Sequence, residues 1–581
     1  MMRRHLLTAP VPRRALLSAA ASSGVALALA ACGAGARRGR AGQAVTTPSA
    51  SATPGIWATV ASGAAVEAAG RPGGTLSFVA ERVPASYDFV VQGETSSALA
   101  GLCCNGLLAP RNGTALFPDP ADDTLVPDLV QALPEQPDEQ TFIFRLRPDV
   151  HWQAVPPLNG RALVAADVQW FFQRALTDAR SLLRPRFGVI DRVDTPDAAT
   201  VRFALSEPYA PFLSLVAGGA ARFIQPRELG DGGRLGETLI GTGPFVLDTS
   251  AGARKPVFRR NPGYFKSDRA GARLPYLDQL ALLTIPDAAA RMQAYQARQA
   301  QLTASLAPSD AAALKASNPY DFAFGQMPGV SNYLYMRVDQ PPFDDQRVRQ
   351  ALSLALDRPA MLQALGGGTG VPDLPVPALL RRFSTPLSAL GDAARFYTRD
   401  LQAAKQLLAA AGHADGLSTT LTFTPQYGDL FVKAAQLVQG YLREVGIQTT
   451  PVQLDYARYL TTAFRGDFAG LAYAPREVYP DPDPYLSDYY LPGGLRYQDH
   501  SNDAALQALV LAQRRATDLQ TRVSLLAQIQ RLLSETQYRV YDVAPAGAMA
   551  WQNDVLNYRA SLWSALGRLE VAWLRGAGKS A

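Results

Sequence analysis

Cysteine and histidine are scarce in this sequence, which has three cysteines and four histidines among 581 residues. Cys103 and Cys104 are adjacent, so only a strained bridge would join them, and we expect two buried free thiols. His151, His413 and His500 lack metal-ligand spacing to one another or to a cysteine. A disulfide framework is therefore excluded, and we expect no metal site and no cofactor.

The sequence also lacks a large excess of charge of one sign once its first residues are set apart. Residues 1–31 contain four arginines and no acidic residue. Taking these four from the 56 basic residues leaves 52, against 50 acidic residues in the chain. A nearly neutral protein has no electrostatic footprint for nucleic acid, so we expect no nucleic-acid partner.

Catalytic motifs are missing as well. The sequence contains no Gly-x-Ser-x-Gly elbow and no convincing Ser-His-Asp or zinc-hydrolase motif. The glycine-rich run 366–370 lacks the lysine of a phosphate-binding loop, and the stretch 241–244 is typical of a turn. We therefore expect a protein that is not an enzyme. An exported hydrolase is the alternative, and an assay for turnover would test it.

The first 31 residues have the organisation of an export signal. Arg13 and Arg14 resemble a twin-arginine signal and precede an apolar run that is too short and too rich in alanine for a comfortable membrane span. The run ends in Leu-Ala-Ala before Cys32, which resembles a bacterial lipobox. We predict a signal peptide at 1–31 and lipidation of Cys32, which would anchor the protein outside the cytoplasm to the cell membrane. A plain secretory signal with a chance cysteine is the alternative.

The remaining chain indicates a mixed α/β protein. Residues 32–72 are rich in small residues and in proline, which predicts a flexible tether. Beyond Gly73, strand and helix patterns mix without a strict alternation. The sequence predicts a strand at 141–146 and helices at 165–176, from Asp344, at 401–411, at 430–445 and, as one long helix, at 503–533.

The chain resembles one known family across residues 73–560, and the order of eight short motifs carries the resemblance. The fullest is the stretch 342–352, PFDDQRVRQAL, which is close to the family pattern PFDDVRVRQAL. The others are 125–129 with 142–152, 157–168, 241–245, 260–265, 275–278, 404–412, and 466–468 with 481–486. The chain thus resembles the extracellular solute-binding proteins of the oligopeptide, dipeptide and nickel class, family 5 of the ABC transporter substrate-binding proteins.

The resemblance implies an α/β fold in which two hinged lobes close like a Venus flytrap, with an extra third lobe. The first lobe would comprise 73–112, 239–330 and, as a return segment and tail, 538–581. The extra lobe would be 113–238 and the second large lobe 331–537. The chain would cross between the large lobes near Val330 and Gln537.

The resemblance also implies a function. The protein would be a monomeric, lipid-anchored receptor that captures peptides or a similar solute by lobe closure and delivers it to an ABC permease in the membrane. Two alternatives stay open at this point. One is a lipid-anchored sensor that uses the same fold, and the other is a binder of a non-peptide solute such as an oligosaccharide or an opine.

Nine candidate ligand-binding residues follow from the family's pockets. They are Tyr87, Asn105, Tyr333, Arg337, Tyr473, Glu477, Tyr479, Asp481 and Asp483. In peptide binders of the family an acid commonly takes the place of Asn105. The acid that pairs with a peptide's α-ammonium aligns with Val478, beside Glu477, so either Glu477 replaces it or the ammonium site is absent. Arg337 replaces a usual asparagine, which would suit an anionic group.

Overall fold

The computed structural model describes residues 70–576 except for 82, 85, 93–98, 112–123, 249–255, 307, 318–321, 328–330, 559–565 and 567–568. The predicted signal peptide, Cys32, all but the last residues of the predicted tether and the predicted crossing near Val330 lie outside these residues. Within the described ranges, no helix is both long enough and apolar enough to cross a membrane. The same ranges contain no group of three or more His, Cys, Asp or Glu side chains that could hold a metal ion.

A seven-stranded mixed sheet forms one part of the fold. Its central strand, Thr75–Ala80, is parallel to both of its neighbours, while the other pairings are antiparallel. The alternating apolar residues Leu76 and Phe78 of this strand are buried in the core, as the period of a strand requires. In order across the sheet, the strands are Phe322–Met327, Gly547–Gln552, Leu302–Leu306, Thr75–Ala80, Gln279–Thr284, Val257–Arg260 and Phe245–Asp248.

A five-stranded sheet forms a second part, with its own hydrophobic core. Across the sheet, the strands are Ile447–Gln453, Leu417–Phe423, Leu471–Pro475, Asn332–Met336 and Arg539–Tyr541. The helices in this half of the sequence are Gln346–Ala355, Arg358–Gly366, Leu401–Ala410, Asp429–Glu444, Tyr456–Thr461, Asp483–Tyr490, Ala504–Arg515 and Leu519–Thr536.

An antiparallel four-stranded sheet is formed by the segment predicted as an extra lobe. Its strands, in order, are Glu135–Asp138, Thr141–Arg145, Thr200–Leu205 and Ile190–Asp197. Phe144 and Phe203 of this sheet belong to the same hydrophobic core as Leu76 and Phe78 of the seven-stranded sheet. Because this core is continuous, the structure does not set the segment apart, and a separate third lobe stays a prediction.

Further helices and ribbons complete the described part. The helices in the first half of the sequence are Phe89–Gln92, Ala100–Cys103, Ala165–Thr177, Arg184–Phe187, Phe212–Ala217, Arg227–Asp231, Ala288–Gln296 and Pro308–Ser317. Two-stranded ribbons pair Leu108–Pro110 with Leu125–Pro127, Gly370–Pro372 with Val543–Pro545, and Val555–Leu556 with Trp573–Leu574. Cys103 and Cys104 are buried free thiols, as predicted, and burial raises the pKa of both.

Capping residues fix where helices begin. The Asp345 carboxylate accepts a hydrogen bond from the backbone N–H of Arg347 at 2.8 Å, so the cap lies one residue after the predicted Asp344. The prediction of one long helix at 503–533 is wrong. The chain forms two helices there because Asp518 caps a second one, accepting the N–H of Thr521 at 2.7 Å.

The chain passes between the two larger sheets at a sheet junction, which consists of residues 331–332 and 542–546. The strand Arg539–Tyr541 still pairs with Asn332–Met336 in the five-stranded sheet. The second passage therefore follows Tyr541, a few residues beyond the predicted crossing near Gln537. The other predicted domain boundaries stay predictions.

Candidate ligand-binding site

Four of the nine predicted residues lie between residues 476 and 483. We call this segment the 476–483 loop; it joins the strand Leu471–Pro475 to the helix Asp483–Tyr490 and includes the first residue of that helix. The loop leaves the five-stranded sheet beside the sheet junction, because Pro475 pairs with Asn332 and the N–H of Arg476 donates to the carbonyl of Ser331 at 2.8 Å. The four predicted residues on this loop are Glu477, Tyr479, Asp481 and Asp483.

Arg476 anchors the loop at its start. Its buried guanidinium donates to Asp373 at 2.6 Å and to the carbonyls of Leu374, at 2.5 Å, and Pro375. It also lies over the rings of Tyr485 and Tyr541, with centroids 4.4 and 4.5 Å away. A charge this deeply buried is tolerable only with such partners, so Arg476 fixes the path of the loop.

Glu477 is partly exposed, and guanidinium groups already surround its carboxylate. Arg496 donates to Oε1, and an Nη atom of Arg186 lies 3.7 Å from Oε2. The Glu477 side chain retains 40% of its exposure, whereas that of Arg496 retains 5%. Val478, the alternative position for an acid, is partly buried against the apolar cluster of the second sheet. The Glu477 carboxylate is thus partly exposed, and two arginines already lie beside it.

Tyr479 receives a contact from a distant part of the sequence. Arg186 donates to its hydroxyl at 2.6 Å and to Asp488 at 3.3 Å, and the guanidinium lies 4.4 Å from the Tyr479 ring centroid. Burial raises the pKa of Asp488, and the positive charge of Arg186 opposes this effect. Arg186 itself is positioned by its neighbour Phe187, which is buried in the large core.

The two aspartates of the loop are buried and already hydrogen-bonded. Arg522 donates to both oxygens of Asp481, at 2.9 and 2.5 Å. Asp483 accepts from the hydroxyl of Tyr209 and from the side-chain amide of Gln513, each at 2.7 Å. These contacts give both carboxylates a role in holding the loop and the helix that follows it.

Tyr333 and Tyr473 are fully buried on neighbouring strands. Both the donor Arg496 and the acceptor Gln498 lie 3.2 Å from the Tyr333 hydroxyl. Tyr473 donates to the carboxylate of Asp542 in the sheet junction. Tyr333 therefore supports the arginine that faces Glu477, and Tyr473 ties the strand Leu471–Pro475 to the junction.

Asn105 lies in a separate buried polar group in the first half of the sequence. Its amide donates to both carboxylate oxygens of Asp128 at 3.1 Å, and its carbonyl accepts from Thr242 at 3.2 Å. The ammonium of Lys266 lies 2.5 Å from the same Asp128. Asn105 thus lies beside an ion pair whose carboxylate is buried and whose ammonium is partly exposed, and its side-chain amide is hydrogen-bonded to that carboxylate.

Tyr87 and Arg337 lie apart from the 476–483 loop. The backbone carbonyl of Tyr87 accepts from the side-chain amide of Gln225 at 2.8 Å, and burial raises the pKa of the Tyr87 hydroxyl. Arg337 follows the strand Asn332–Met336 at the end remote from Pro475, and it forms an ion pair with Asp339 at 2.6 Å.

Sequence reasoning missed the two arginines that meet Glu477. Arg186 is 291 positions before Glu477 and Arg496 is 19 positions after it, by their numbers in the chain. Neither arginine belongs to a local pattern that marks such a contact. Only the fold brings them to the same carboxylate.

The family model described as bacterial extracellular solute-binding proteins, family 5 middle, matches residues 124–496, more than half of the chain. Di/tripeptide-binding protein 2 of Pseudomonas aeruginosa (strain UCBPP-PA14) is 26% identical over 524 residues, which cover 84% of this chain and 93% of that protein.

Solved structures share the fold. The periplasmic binding protein DppA from Helicobacter pylori, in complex with the peptide STSA, has a TM-score of 0.71 and 21% identity, covering 87% of this chain and 99% of its own. The binding protein AgaA from A. tumefaciens R10, in complex with agropinic acid, has a TM-score of 0.70 and 24% identity, covering 86% and 99%. The predicted two-lobed α/β fold is confirmed. The chain belongs to family 5 of the bacterial extracellular solute-binding proteins, which are not enzymes.

Proposed function

We propose that the protein is the substrate-binding component of an ABC importer, which captures a peptide or a similar solute by lobe closure and delivers it to a permease. The observation that carries the proposal is the architecture: two large sheets with separate cores meet at the sheet junction beside the 476–483 loop. A ligand that contacts both sides of such a junction stabilises the closed arrangement by its differential affinity.

Polar contacts join the 184–209 region to the 476–515 region, and they support lobe closure as the binding mechanism. Arg186 contacts Tyr479 and Asp488, as described above. Tyr209 donates to Asp483, and Arg515 forms an ion pair with Glu207 at 2.6 Å. Polar contacts of this kind are readily broken when two bodies separate and remade when they close, because water satisfies both partners in between.

The names of related proteins support peptides as the first solute class to test. The relative from Pseudomonas aeruginosa is named for di- and tripeptides, and the Helicobacter pylori structure holds the peptide STSA. The agropinic acid in AgaA keeps opine-like solutes as a second class. The mature protein would be a monomer, anchored to lipid through Cys32 outside the cytoplasm.

Mass spectrometry of the solute that co-purifies with the protein tests the proposal. The protein should be isolated under native conditions and the solute released by denaturation. The proposal expects a peptide, or a solute of similar size, that is released chemically unchanged. A solute that pure protein converts to a product during incubation would contradict a binding role.

A further inference from the structure

Four charged side chains meet where the 476–483 loop contacts the helix Arg184–Phe187. The Glu477 cluster consists of Arg186, Glu477, Asp488 and Arg496. Its two carboxylates contact its two guanidinium groups: Arg496 donates to Glu477, and Arg186 lies 3.3 Å from Asp488 and 3.7 Å from Glu477. The cluster therefore has no net charge when all four groups are ionised.

Neighbouring charges do not alter this balance. The negative charge of Asp483 helps to raise the pKa of Asp488, but Asp483 itself forms an ion pair with Arg514 at 3.4 Å. Arg476 is paired with the buried Asp373. Burial raises the pKa of Asp488 itself, so that any protonation of this carboxyl leaves the cluster more positive.

The two arginines of the cluster differ in how they are held. The side chain of Arg496 is 5% exposed. It donates to Tyr333 and its guanidinium lies 4.7 Å from the centroid of the Phe464 ring, so it is held by residues on the side of the five-stranded sheet. The side chain of Arg186 is 20% exposed. It lies on the helix Arg184–Phe187, whose Phe187 packs in the core of the seven-stranded sheet. Of the two, Arg186 is the one that reaches the carboxylates from outside the five-stranded sheet and its helices.

We propose that Arg186 is a specificity-determining residue, whose guanidinium takes the place of a ligand cation opposite Glu477 and Asp488, so that the protein selects solutes without a free α-ammonium at this position. This inference rests on the proposed binding function and narrows its solute class. An ammonium added to the intact cluster would bring three cations against two carboxylates. N-acylated peptides, and other solutes neutral at this end, avoid that repulsion.

The size of the effect follows from the exposure of the groups. Loss of one partner of an exposed ion pair has little effect, whereas loss of one partner of a buried pair has a large one. Asp488 is 10% exposed and Glu477 40%, so the cluster lies between these limits. We expect discrimination of about tenfold, the factor that 1.4 kcal/mol represents.

A purely structural role for Arg186 predicts a different result from a role in selection. If Arg186 only holds the two sides together, its loss weakens all peptides by the same factor. If it occupies the cation position, its loss changes the ratio between free and N-acetylated peptides. The ratio is therefore the informative readout.

The experiment uses a random tripeptide pool in two forms, with free and with acetylated N-termini, each dialysed to equilibrium against the purified full chain and quantified by mass spectrometry. Wild-type protein should retain the acetylated form about tenfold more strongly. Arg186→Gln should shift the ratio by about tenfold towards the free amines. Arg186→Lys keeps the charge and should keep the wild-type ratio, as should Arg180→Gln, which removes an arginine that is 71% exposed.

The outcomes separate the inference from the proposed function. A wild-type preference for free amines that Arg186→Gln leaves unchanged overturns the inference and leaves peptide binding intact. The wild-type ratio alone decides the matter if Arg186→Gln does not fold, since a preference for free amines contradicts the inference without any variant. Retention of neither form by wild type and variants overturns the peptide assignment and, with it, the solute class inferred here.

Discussion

Asp542 and Asn332 join the two passages of the sheet junction. The Asp542 carboxylate accepts the backbone N–H of Asn332 at 3.0 Å, and the N–H of Asp542 donates back to the carbonyl of Asn332 at 3.3 Å. Tyr473 and Val543 donate to the same carboxylate. The junction thus depends on one fully buried acid, to which both chain passages are hydrogen-bonded.

Burial of this acid makes stability depend on pH. It raises the pKa of Asp542 from 3.8 to about 6, so the folded protein holds this proton at pH values where the unfolded chain has released it. The group's contribution to stability is therefore fully present below pH 3.8 and is lost as the pH rises towards 6. A rise in pKa of this size corresponds to about 3 kcal/mol of stability.

Asp542→Asn removes this titration but keeps an oxygen that accepts from Asn332. Relative to wild type, the variant should gain about 3 kcal/mol between pH 4 and pH 7, as measured by urea unfolding across that range. Asp231→Asn, at an exposed carboxylate, is the control. Parallel pH profiles for Asp542→Asn and wild type would show that this carboxyl does not titrate as described.

The buried pair of Arg476 and Asp373 should dominate the stability of the 476–483 loop. Arg476→Met leaves the Asp373 carboxylate buried with Ser331, at 2.6 Å, as its remaining side-chain donor among the described residues. We expect a loss of about 3–5 kcal/mol in urea unfolding, and a smaller loss when Asp373→Asn is added, because the second change removes the uncompensated charge. Equal losses in single and double variants would contradict this coupling. Arg227→Gln, at an exposed pair, should change stability little.

Glu477→Gln should leave the binding of free-amine peptides almost unchanged. The carboxylate already faces Arg496 and Arg186, so an incoming ammonium gains little from it. Calorimetry with matched free and acetylated peptides measures this. A loss of orders of magnitude confined to free-amine peptides would instead make Glu477 the ammonium anchor that the family resemblance suggested.

Cys32→Ala should release the protein from the membrane or leave it misprocessed. The expectation rests on the Leu-Ala-Ala-Cys sequence at 29–32, since stable anchoring needs more than one acyl chain, as a lipidated N-terminal cysteine provides. Fractionation and intact mass measure the outcome. A variant that stays in the membrane fraction with the wild-type modification would contradict lipidation at this residue.

Local patterns in the sequence were sufficient for elements whose cause is local. The helices Leu401–Ala410 and Asp429–Glu444 lie within one residue of prediction, because apolar spacing and the glycines after them define both ends. The break before Asp518 was missed, since amphipathic spacing on both sides hid a helix cap.

The candidate site was less accessible to sequence reasoning, because its partners are distant in the chain. Asp481 was predicted to contact ligand, but its contacts with Arg522 arise only when the helix Leu519–Thr536 packs beside the loop. Arg186 reaches Glu477 through tertiary structure alone. The family motifs located the 476–483 loop, whereas the charge balance around it required the side-chain positions.

Small-angle X-ray scattering with and without the co-purified solute tests whether the solute is bound by lobe closure. If the solute is bound by lobe closure, saturating amounts should slightly lower the radius of gyration, and the same amounts should raise the melting temperature by mass action. A melting temperature that rises while the radius of gyration stays constant would show binding without closure and contradict the account.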